Sequence, residues 1–375
     1  MKYFDRSKIR RFPLAERKNK VDIQKDLVDF RDDSIPIPAD LQNQADRIAS
    51  EMLAAVHAGR SVMLAFGAHA VKNGLGALLG ELVKRKWISH LATNGAGVIH
   101  DWEFAYQGLS SEDVRENIRE GKFGTWEETG FYINAALAVG AYEGLGYGES
   151  VGALITRQGL AIPERETLRE IIGAPFSADD RPPLWKRSAA ADLLDLLETL
   201  DIPSGWRAVE HRFSQFSVQA AAYAAGTPFT SHPMFGHDII YTHRASRGAA
   251  IGRVAERDFL SYVESVSNLE GGVYLSVGSA VMSPMIFEKA LSMARNAAQQ
   301  NGRDIRNCRI YVVDLQEMLW DWSSGEPPAD NPAYYLRFMK TFNRMGCPLA
   351  YITANNRLFF RALYRGLSKQ DKEPL

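Results

Sequence analysis

The fold is decided by a stretch that reads VMLAFGAHAVKNGLGALLGELVKRKWISHLATNGAGVIHD, residues 62–101. An apolar run at 61–68 ends in glycine and predicts a buried strand. Residues 70–86 suit a helix, and residues 87–94 suit a second strand that runs into glycine and alanine. Because strand, helix and strand follow each other through short connections, the stretch predicts an α/β protein with a mostly parallel sheet.

The same alternation returns in the last third of the chain. Apolar runs predict further strands at 271–280, 309–315 and 348–354. Helical spacing of apolar residues predicts helices at 39–58, 246–268, 284–300 and 331–345.

The middle of the chain has a different pattern. Residues 111–215 carry predicted helices at 134–144 and 187–200 and are interpreted as a helical insertion or cap. The predicted organisation is therefore a basic N-terminal arm at 1–38, followed by a single α/β domain at 39–375 that contains this insertion.

Composition narrows the classes of function. The formal net charge of −1 over 375 residues gives no reason to expect nucleic-acid or membrane binding. The segment from Lys2 to Lys20 is locally basic, and it is either a solvated terminus or an arm that contacts a neighbouring subunit or an acidic ligand.

Without a signal peptide or a membrane-length apolar run, we expect a cytoplasmic protein. Cys308 and Cys347 cannot form a disulfide framework, so we expect buried structural thiols.

Small residues follow three of the predicted strands. These ends are Gly67-Ala68, the run Thr93-Asn94-Gly95-Ala96-Gly97, and Gly278-Ser279-Ala280. Ligands of open α/β sheets bind outside the carboxyl ends of the strands, where small residues let the backbone approach a phosphate. We therefore predict a nucleotide or phosphorylated ligand, with plain tight turns as the alternative. The glycine cluster at 144–152 follows a predicted helix, which is the wrong context for a dinucleotide fingerprint.

Histidines concentrate in the segment 231–243, which holds His232, His237, Asp238 and His243. A further pair, His100-Asp101, is placed at another predicted strand end. Imidazole and carboxylate groups together either ligate a metal or move protons near neutral pH. The segment lacks the HxxxH spacing of helical metal sites, so three interpretations stay open: a metal-free active-site loop, a metal site, and structural hydrogen bonding.

Carboxylates alternate with aromatic residues at 314–338. The acidic members are Asp314, Glu317, Asp321, Glu326 and Asp330. Carboxylates beside aromatic faces recognise a cationic amine through ion pairing and cation–π attraction. A solvated loop anchored by tryptophans is the alternative.

Segments 62–101 and 236–337 resemble the deoxyhypusine synthase family in the order of their motifs, which include HDIIYTH at 237–243 and VVDLQE at 312–317. The resemblance implies a doubly wound, Rossmann-like fold, a homotetramer, and NAD held at a subunit interface. It also implies transferase chemistry in which a polyamine is oxidised and its aminobutyl group passes through a lysine imine. The positions that the resemblance assigns to the NAD pocket are Gly67, Ala68, Asn73, Gly74, Thr93, Asn94, Gly95, Asp101, Asp238, Gly278, Ser279 and Asp314.

The chain departs from the family at its catalytic lysine. The family's Trp-Gly-Lys segment is replaced by residues 333–337, and Arg337 cannot form an imine. Lys340 lies one helical turn further along. A family segment of lysine and two histidines is here Met282-Ser283-Pro284. Deoxyhypusine synthesis itself is therefore not expected.

The leading hypothesis is an NAD-binding relative that performs hydride-transfer or aminobutyl-transfer chemistry on a small amine-like or polar substrate. Asp238, His243 and His100 are the candidates for proton handling, and Glu317, Asp321 and Asp330 are the candidates for binding a substrate ammonium. Two alternatives are a metal-dependent hydrolase or lyase that uses the His232–His243 cluster, and a non-catalytic nucleotide-binding protein.

Overall fold

The computed structural model describes residues 1–175, 182–318 and 320–371 of the chain. Its strands are β1 (Asn19–Asp22), β2 (Val62–Phe66), β3 (His90–Thr93), β4 (Leu109–Glu112), β5 (Gly159–Ile162), β6 (Gly205–Ala208), β7 (Phe229–Ser231), β8 (Val273–Val277), β9 (Arg309–Asp314) and β10 (Leu349–Thr353). Its helices are α1 (Ile23–Asp26), α2 (Ala39–His57), α3 (Ala68–Lys72), α4 (Gly76–Lys84), α5 (Gly95–Gln107), α6 (Val114–Arg119), α7 (Glu127–Glu143), α8 (Tyr147–Arg157), α9 (Arg165–Gly173), α10 (Leu184–Thr199), α11 (Val218–Ala225), α12 (Gly248–Ser267), α13 (Met282–Gln299), α14 (Arg337–Arg344) and α15 (Asn356–Gln370).

Six of the strands form one parallel sheet in the spatial order β10-β9-β8-β2-β3-β7. Numbered along the chain and read from β7, these strands run 3-2-1-4-5-6, which is the order of dinucleotide-binding α/β folds. The order reverses between β2 and β8, and we call this position the switch point. The predicted doubly wound, mostly parallel α/β fold is confirmed.

The central strand β2 is buried on both faces of the sheet, which explains its unbroken apolar sequence. Val62, Leu64 and Phe66 pack into one core with α2, α4, α5 and α15. Met63 and Ala65 point to the other face and pack against α12, α13 and α14. Alternate residues thus serve two cores, as the period of a strand requires.

Most predicted elements are confirmed, with three local corrections. The helix predicted at 331–345 consists of a 3-10 turn, Pro332–Tyr335, followed by α14. The helix predicted at 70–86 is divided into α3 and α4, because Gly74 adopts a φ of +77° and packs against the backbone carbonyl of Asp26. His100 and Asp101 do not end a strand but lie inside α5. This helix starts directly after β3 because the side chain of Asn94 accepts a hydrogen bond from the Gly97 amide, which caps it.

The chain leaves the main sheet after β3 and returns to it at β7. The connection contains helices α5 to α11, including α7 and α10 at the positions predicted at 134–144 and 187–200. It also contains β5 and β6, which pair antiparallel with each other, and β4, which pairs with β1 of the N-terminal segment. Neither the edge strand β7, three residues long, nor the C-terminal helix α15 was predicted.

Part of the predicted basic arm lies against the rest of the chain. Leu14 and Ile23 are part of the main core, and the side chain of Arg17 is buried. Cys308 and Cys347 are buried free thiols, as expected. Within the described residues, no helix is long and apolar enough to cross a membrane.

Candidate active site at the carboxyl edge of the sheet

The switch point is lined by two glycines, Gly67 after β2 and Gly278 after β8. A Cβ built on Gly67 would overlap the carbonyl oxygen of Gly278, so a glycine at position 67 is required for the two strand ends to meet. Gly278 itself has a φ of +57°, and a Cβ built on it would meet no atom within 4 Å. Next to it, the hydroxyl of Ser279 accepts a hydrogen bond from the Ser283 amide at the start of α13, 3.2 Å away. The backbone at Gly278 is therefore exposed and leaves room for a ligand.

A cavity of about 200 Å³ lies beside the carboxyl ends of β2 and β3. It is walled by α3 and α5, by the segment around β4, and by the loop at 237–239. We call it the β3 cavity. Its charged and titratable lining residues are Arg17, Lys72, His100, Glu103, Glu112, His237 and Asp238.

His100 is held in one tautomer by a chain of hydrogen bonds. The hydroxyl of Ser110 donates to Oε2 of Glu103 over 2.5 Å, so its oxygen accepts from Nδ1 of His100, 2.8 Å away. Nδ1 therefore carries the proton of the neutral imidazole, and Nε2 keeps its lone pair. The half-buried ring lines the β3 cavity with this geometry, which is that of an oriented general base.

Glu103 anchors this chain of hydrogen bonds as a buried carboxylate. Its Oε1 lies 2.6 Å from Nη1 of Arg17 and accepts a hydrogen bond from Thr129. Burial alone would raise the pKa of Glu103, but the charge of Arg17 and the contact with His100 lower it to about 2. Glu103 is therefore ionised at neutral pH, and it fixes the positions of both Ser110 and Arg17.

Asp238 lies over the first turn of α5. A Cβ built on Gly95 would overlap its carboxylate, so only glycine fits at that position of the helix. One carboxylate oxygen, Oδ2, is buried and has no hydrogen-bond partner among the described residues. Burial raises the pKa of Asp238 to about 6, against a smaller lowering by His237. A carboxyl group in this state exchanges protons close to neutral pH.

Lys72 ends α3 and is half-buried in the wall of the β3 cavity. It forms no ion pair within residues 1–175, 182–318 and 320–371. Burial, followed by the positive charge of Lys72, lowers the pKa of the neighbouring His69.

The third residue predicted to handle protons, His243, lies outside this cavity. Its Nδ1 accepts a hydrogen bond from the Ala245 amide, so Nε2 carries the proton and faces Glu127 at 3.2 Å. Burial lowers the pKa of His243 to about 4. Both ring nitrogens thus have partners within the fold.

Two residues assigned by resemblance to a cofactor loop have structural contacts instead of open faces. Asp101 accepts hydrogen bonds from Ser217, Val218 and Gln219, which caps the start of α11. Asn73 donates to the side chain of Asn356 at 2.9 Å. Gly74 next to it packs on the N-terminal segment. Thr93 ends β3 and is buried, with its hydroxyl donating to the carbonyl of Phe66, and Asn94 caps α5.

The acidic segment after β9 does not line the β3 cavity. Glu317, Asp321 and Asp330 are exposed, and Asp314 accepts hydrogen bonds from the Leu315 and Gln316 amides. The substitute lysine, Lys340, lies 2.5 Å from Glu326 and over the ring of Tyr334.

The four residues of the metal hypothesis are separated by the fold. His232 is half-buried against Thr230 and Tyr262, His243 faces Glu127, and of the four only His237 and Asp238 line the β3 cavity. Within the described part of the chain, no three His, Cys, Asp or Glu side chains are grouped so that they could hold a metal ion. Adjacency in sequence thus did not bring these four side chains to one point.

Sequence reasoning missed Arg17, Lys72, Glu103 and Ser110. Glu103 could have been noticed as a charged residue among buried apolar neighbours of α5, three positions after His100. Arg17 was considered only as one charge of a basic arm. Nothing in the local sequence indicates that Arg17 meets Glu103.

Comparison with known proteins gives distant structural neighbours only. No protein-family model matches the chain, and no curated protein matches it. Similar solved structures include a ternary complex of AgrE with ornithine and NAD+, at 13% identity and a TM-score of 0.42. The alignment covers 90% of this chain and 34% of the AgrE chain. This chain therefore spans about a third of that protein.

Two further neighbours align over more of their own length. A conserved putative LOR/SDH protein from Methanococcus maripaludis S2 is 12% identical with a TM-score of 0.43, over 90% of this chain and 71% of that one. A putative deoxyhypusine synthase from Entamoeba histolytica is 10% identical with a TM-score of 0.35, over 84% of this chain and 77% of that one. Similarities at this level assign neither a family nor a ligand, and membership of the deoxyhypusine synthase family is not established.

Proposed function

We propose that this protein is an NAD-dependent oxidoreductase that acts on a small polar substrate in the β3 cavity. The observation that carries the proposal is the 3-2-1-4-5-6 strand order, with an exposed glycine, Gly278, at the switch point. The oriented imidazole of His100 lines a cavity on α5, the helix that follows β3. Gly67, Gly278 and Ser279 would border the dinucleotide. Bound there, NAD supplies a hydride acceptor.

The side chains of the cavity supply the proton chemistry. His100 takes a proton from the substrate at Nε2, while Ser110 and Glu103 hold the ring and stabilise the imidazolium that results. Asp238 offers a second proton-exchanging group near neutral pH. Replacing His100 by glutamine should lower turnover on the order of 10²- to 10⁴-fold with NAD affinity unchanged.

We also propose that the chain is related to the deoxyhypusine synthase family but does not synthesise deoxyhypusine. It rests on the order of the segments at 62–101 and 236–337. Lys340 is unsuited to imine formation, because Glu326 and Tyr334 raise its pKa and keep it protonated. A homotetramer is part of the same proposal and is tested by light scattering of the purified protein.

Calorimetric titration with NAD, NADH and ADP-ribose tests the dinucleotide site. Gly278→Val should weaken NAD binding by at least about tenfold, since a branched side chain is strained at positive φ and fills the space over the switch point. Gly302→Val is a matched control, because Gly302 also has a positive φ and open surroundings but lies in the turn after α13. Equal NAD affinity in both variants, or no binding to the folded wild type, contradicts the proposal. Binding without turnover on any small acid, alcohol or amine supports the non-catalytic alternative.

A further inference from the structure

The β3 cavity contains two cationic groups that the fold leaves without a full set of partners. Arg17 uses Nη1 for Glu103 and Nε for Asn19, but its Nη2 is buried and has no hydrogen-bond partner among the described residues. Lys72 has no ion pair in the same part of the chain. A buried donor without a partner costs about 1–3 kcal/mol, and more when it is charged, so a ligand that accepts from it binds favourably.

Not every acidic residue that lines the cavity pairs with Arg17 or Lys72. The charge of Glu103 is matched by Arg17 and by its hydrogen bonds. Glu112 accepts from Asn117 and from the Gly124 amide, and burial raises its pKa. Asp238 is the remaining acid; burial raises its pKa to about 6, and it forms no ion pair with Lys72 among the described residues. Lys72 is thus a charge that a ligand can neutralise.

Asp238 and His100 line the same cavity. Oδ2 of Asp238 is buried against Gly95 without a hydrogen-bond partner in the described residues, and Nε2 of His100 keeps its lone pair. The cavity therefore combines cationic donors with acceptors. A volume of about 200 Å³ is smaller than a drug-sized site and suits a molecule of few heavy atoms.

We propose that the β3 cavity binds the carboxylate of a small acid through Lys72 and Arg17, with a hydroxyl or amino group on the adjacent carbon donating to Asp238 and His100. This inference rests on the proposed function for the assignment of the cavity as the substrate site. It replaces recognition of a lone amine by recognition of a carboxylate, because the exposed acids Glu317 and Asp330 do not line the cavity.

Binding of a matched series tests this substrate class. The probes are 2-hydroxybutyrate, 2-aminobutyrate and sec-butylamine, titrated into the full chain with NAD present. Both acids should bind, and the amine without a carboxylate should bind at least about tenfold more weakly. Their relative affinities decide between the hydroxy acid and the amino acid.

Substitutions at Lys72 test the subsite directly. Lys72→Met should weaken the preferred acid on the order of tenfold to a hundredfold, and Lys72→Arg should restore most of the affinity. Lys84→Met, at an exposed position of α4, is the control and should change nothing. Circular dichroism verifies folding, and Lys72→Gln replaces the methionine variant if that variant does not fold.

The outcomes separate this inference from the dinucleotide proposal. NAD binding together with equal affinity for amine and acid, or full acid affinity in Lys72→Met, overturns the carboxylate subsite and leaves the NAD site standing. Loss of NAD affinity in Lys72→Met without any acid binding also overturns it, since the anion would then be a cofactor phosphate. Acid binding that depends on Lys72 without NAD binding supports the subsite and refutes the oxidoreductase.

Discussion

Replacing Glu103 by glutamine would leave the guanidinium of Arg17 buried without its counter-charge. The two side chains are 2% and 1% exposed, so solvent screens their interaction little. The pKa of Glu103 falls from its ordinary 4.5 to about 2 in the fold. At about 1.4 kcal/mol for each pKa unit, this lowering corresponds to about 3 kcal/mol of unfolding free energy. A loss of about 3–5 kcal/mol is typical when one partner of a buried ion pair is removed.

Urea unfolding followed by circular dichroism at pH 7 measures this loss. Glu103→Gln should lower the free energy of unfolding by about 3 kcal/mol. Glu198→Gln removes an acid that pairs with Arg169 at the surface, where both side chains are 50% exposed, and should cost at most about 1 kcal/mol. The double variant Arg17→Met with Glu103→Gln should regain a large part of the loss, because no unpaired charge then remains buried.

The contribution of Glu103 to the free energy of unfolding depends on pH in a defined direction. Because the pKa of Glu103 is lower in the folded state, its ionised form stabilises the fold above about pH 4.5, and this stabilisation is lost as the pH falls towards 2. The difference between wild type and Glu103→Gln should therefore shrink over that range. If Glu103→Gln costs no more than Glu198→Gln at pH 7, the ion pair does not hold the cavity wall as described.

Gly95→Ala places a methyl group where the carboxylate of Asp238 lies and should destabilise the fold by about 1–3 kcal/mol. Gly252→Ala is the control and should not destabilise it, because a Cβ built there meets nothing within 4 Å. Equal melting temperatures of the two variants would contradict the placement of Asp238. Reductive trapping with an aldehyde, read by peptide mapping, should leave Lys340 unlabelled in the wild type and label it in Glu326→Gln, because Glu326 keeps the amine protonated. Ready labelling of wild-type Lys340 would restore it as a candidate imine lysine.

Local sequence was sufficient for the elements of the core sheet. The runs that became β2, β8 and β9 are apolar and short, and a strand buried on both faces needs no other pattern. β10 is a partly buried edge strand, but its sequence is also a short apolar run. Gly67, which follows β2, could be predicted to end the strand because it comes directly after the apolar run. The edge strand β7 could not be predicted, because three residues are too few to show a periodic pattern.

Only the tertiary structure decided the strand order and the membership of the site. Arg17 reaches Glu103 across 86 positions, and Asp238 meets Gly95 only because the chain returns beside β3 after a long helical connection. The separation of His243 from Asp238, five residues apart, has the converse cause: the 3-10 turn Ile239–Thr242 points them to different sides. The periodicity of apolar residues indicates which face of a helix or strand is buried. Which residues pack against that face depends on the path of the whole chain.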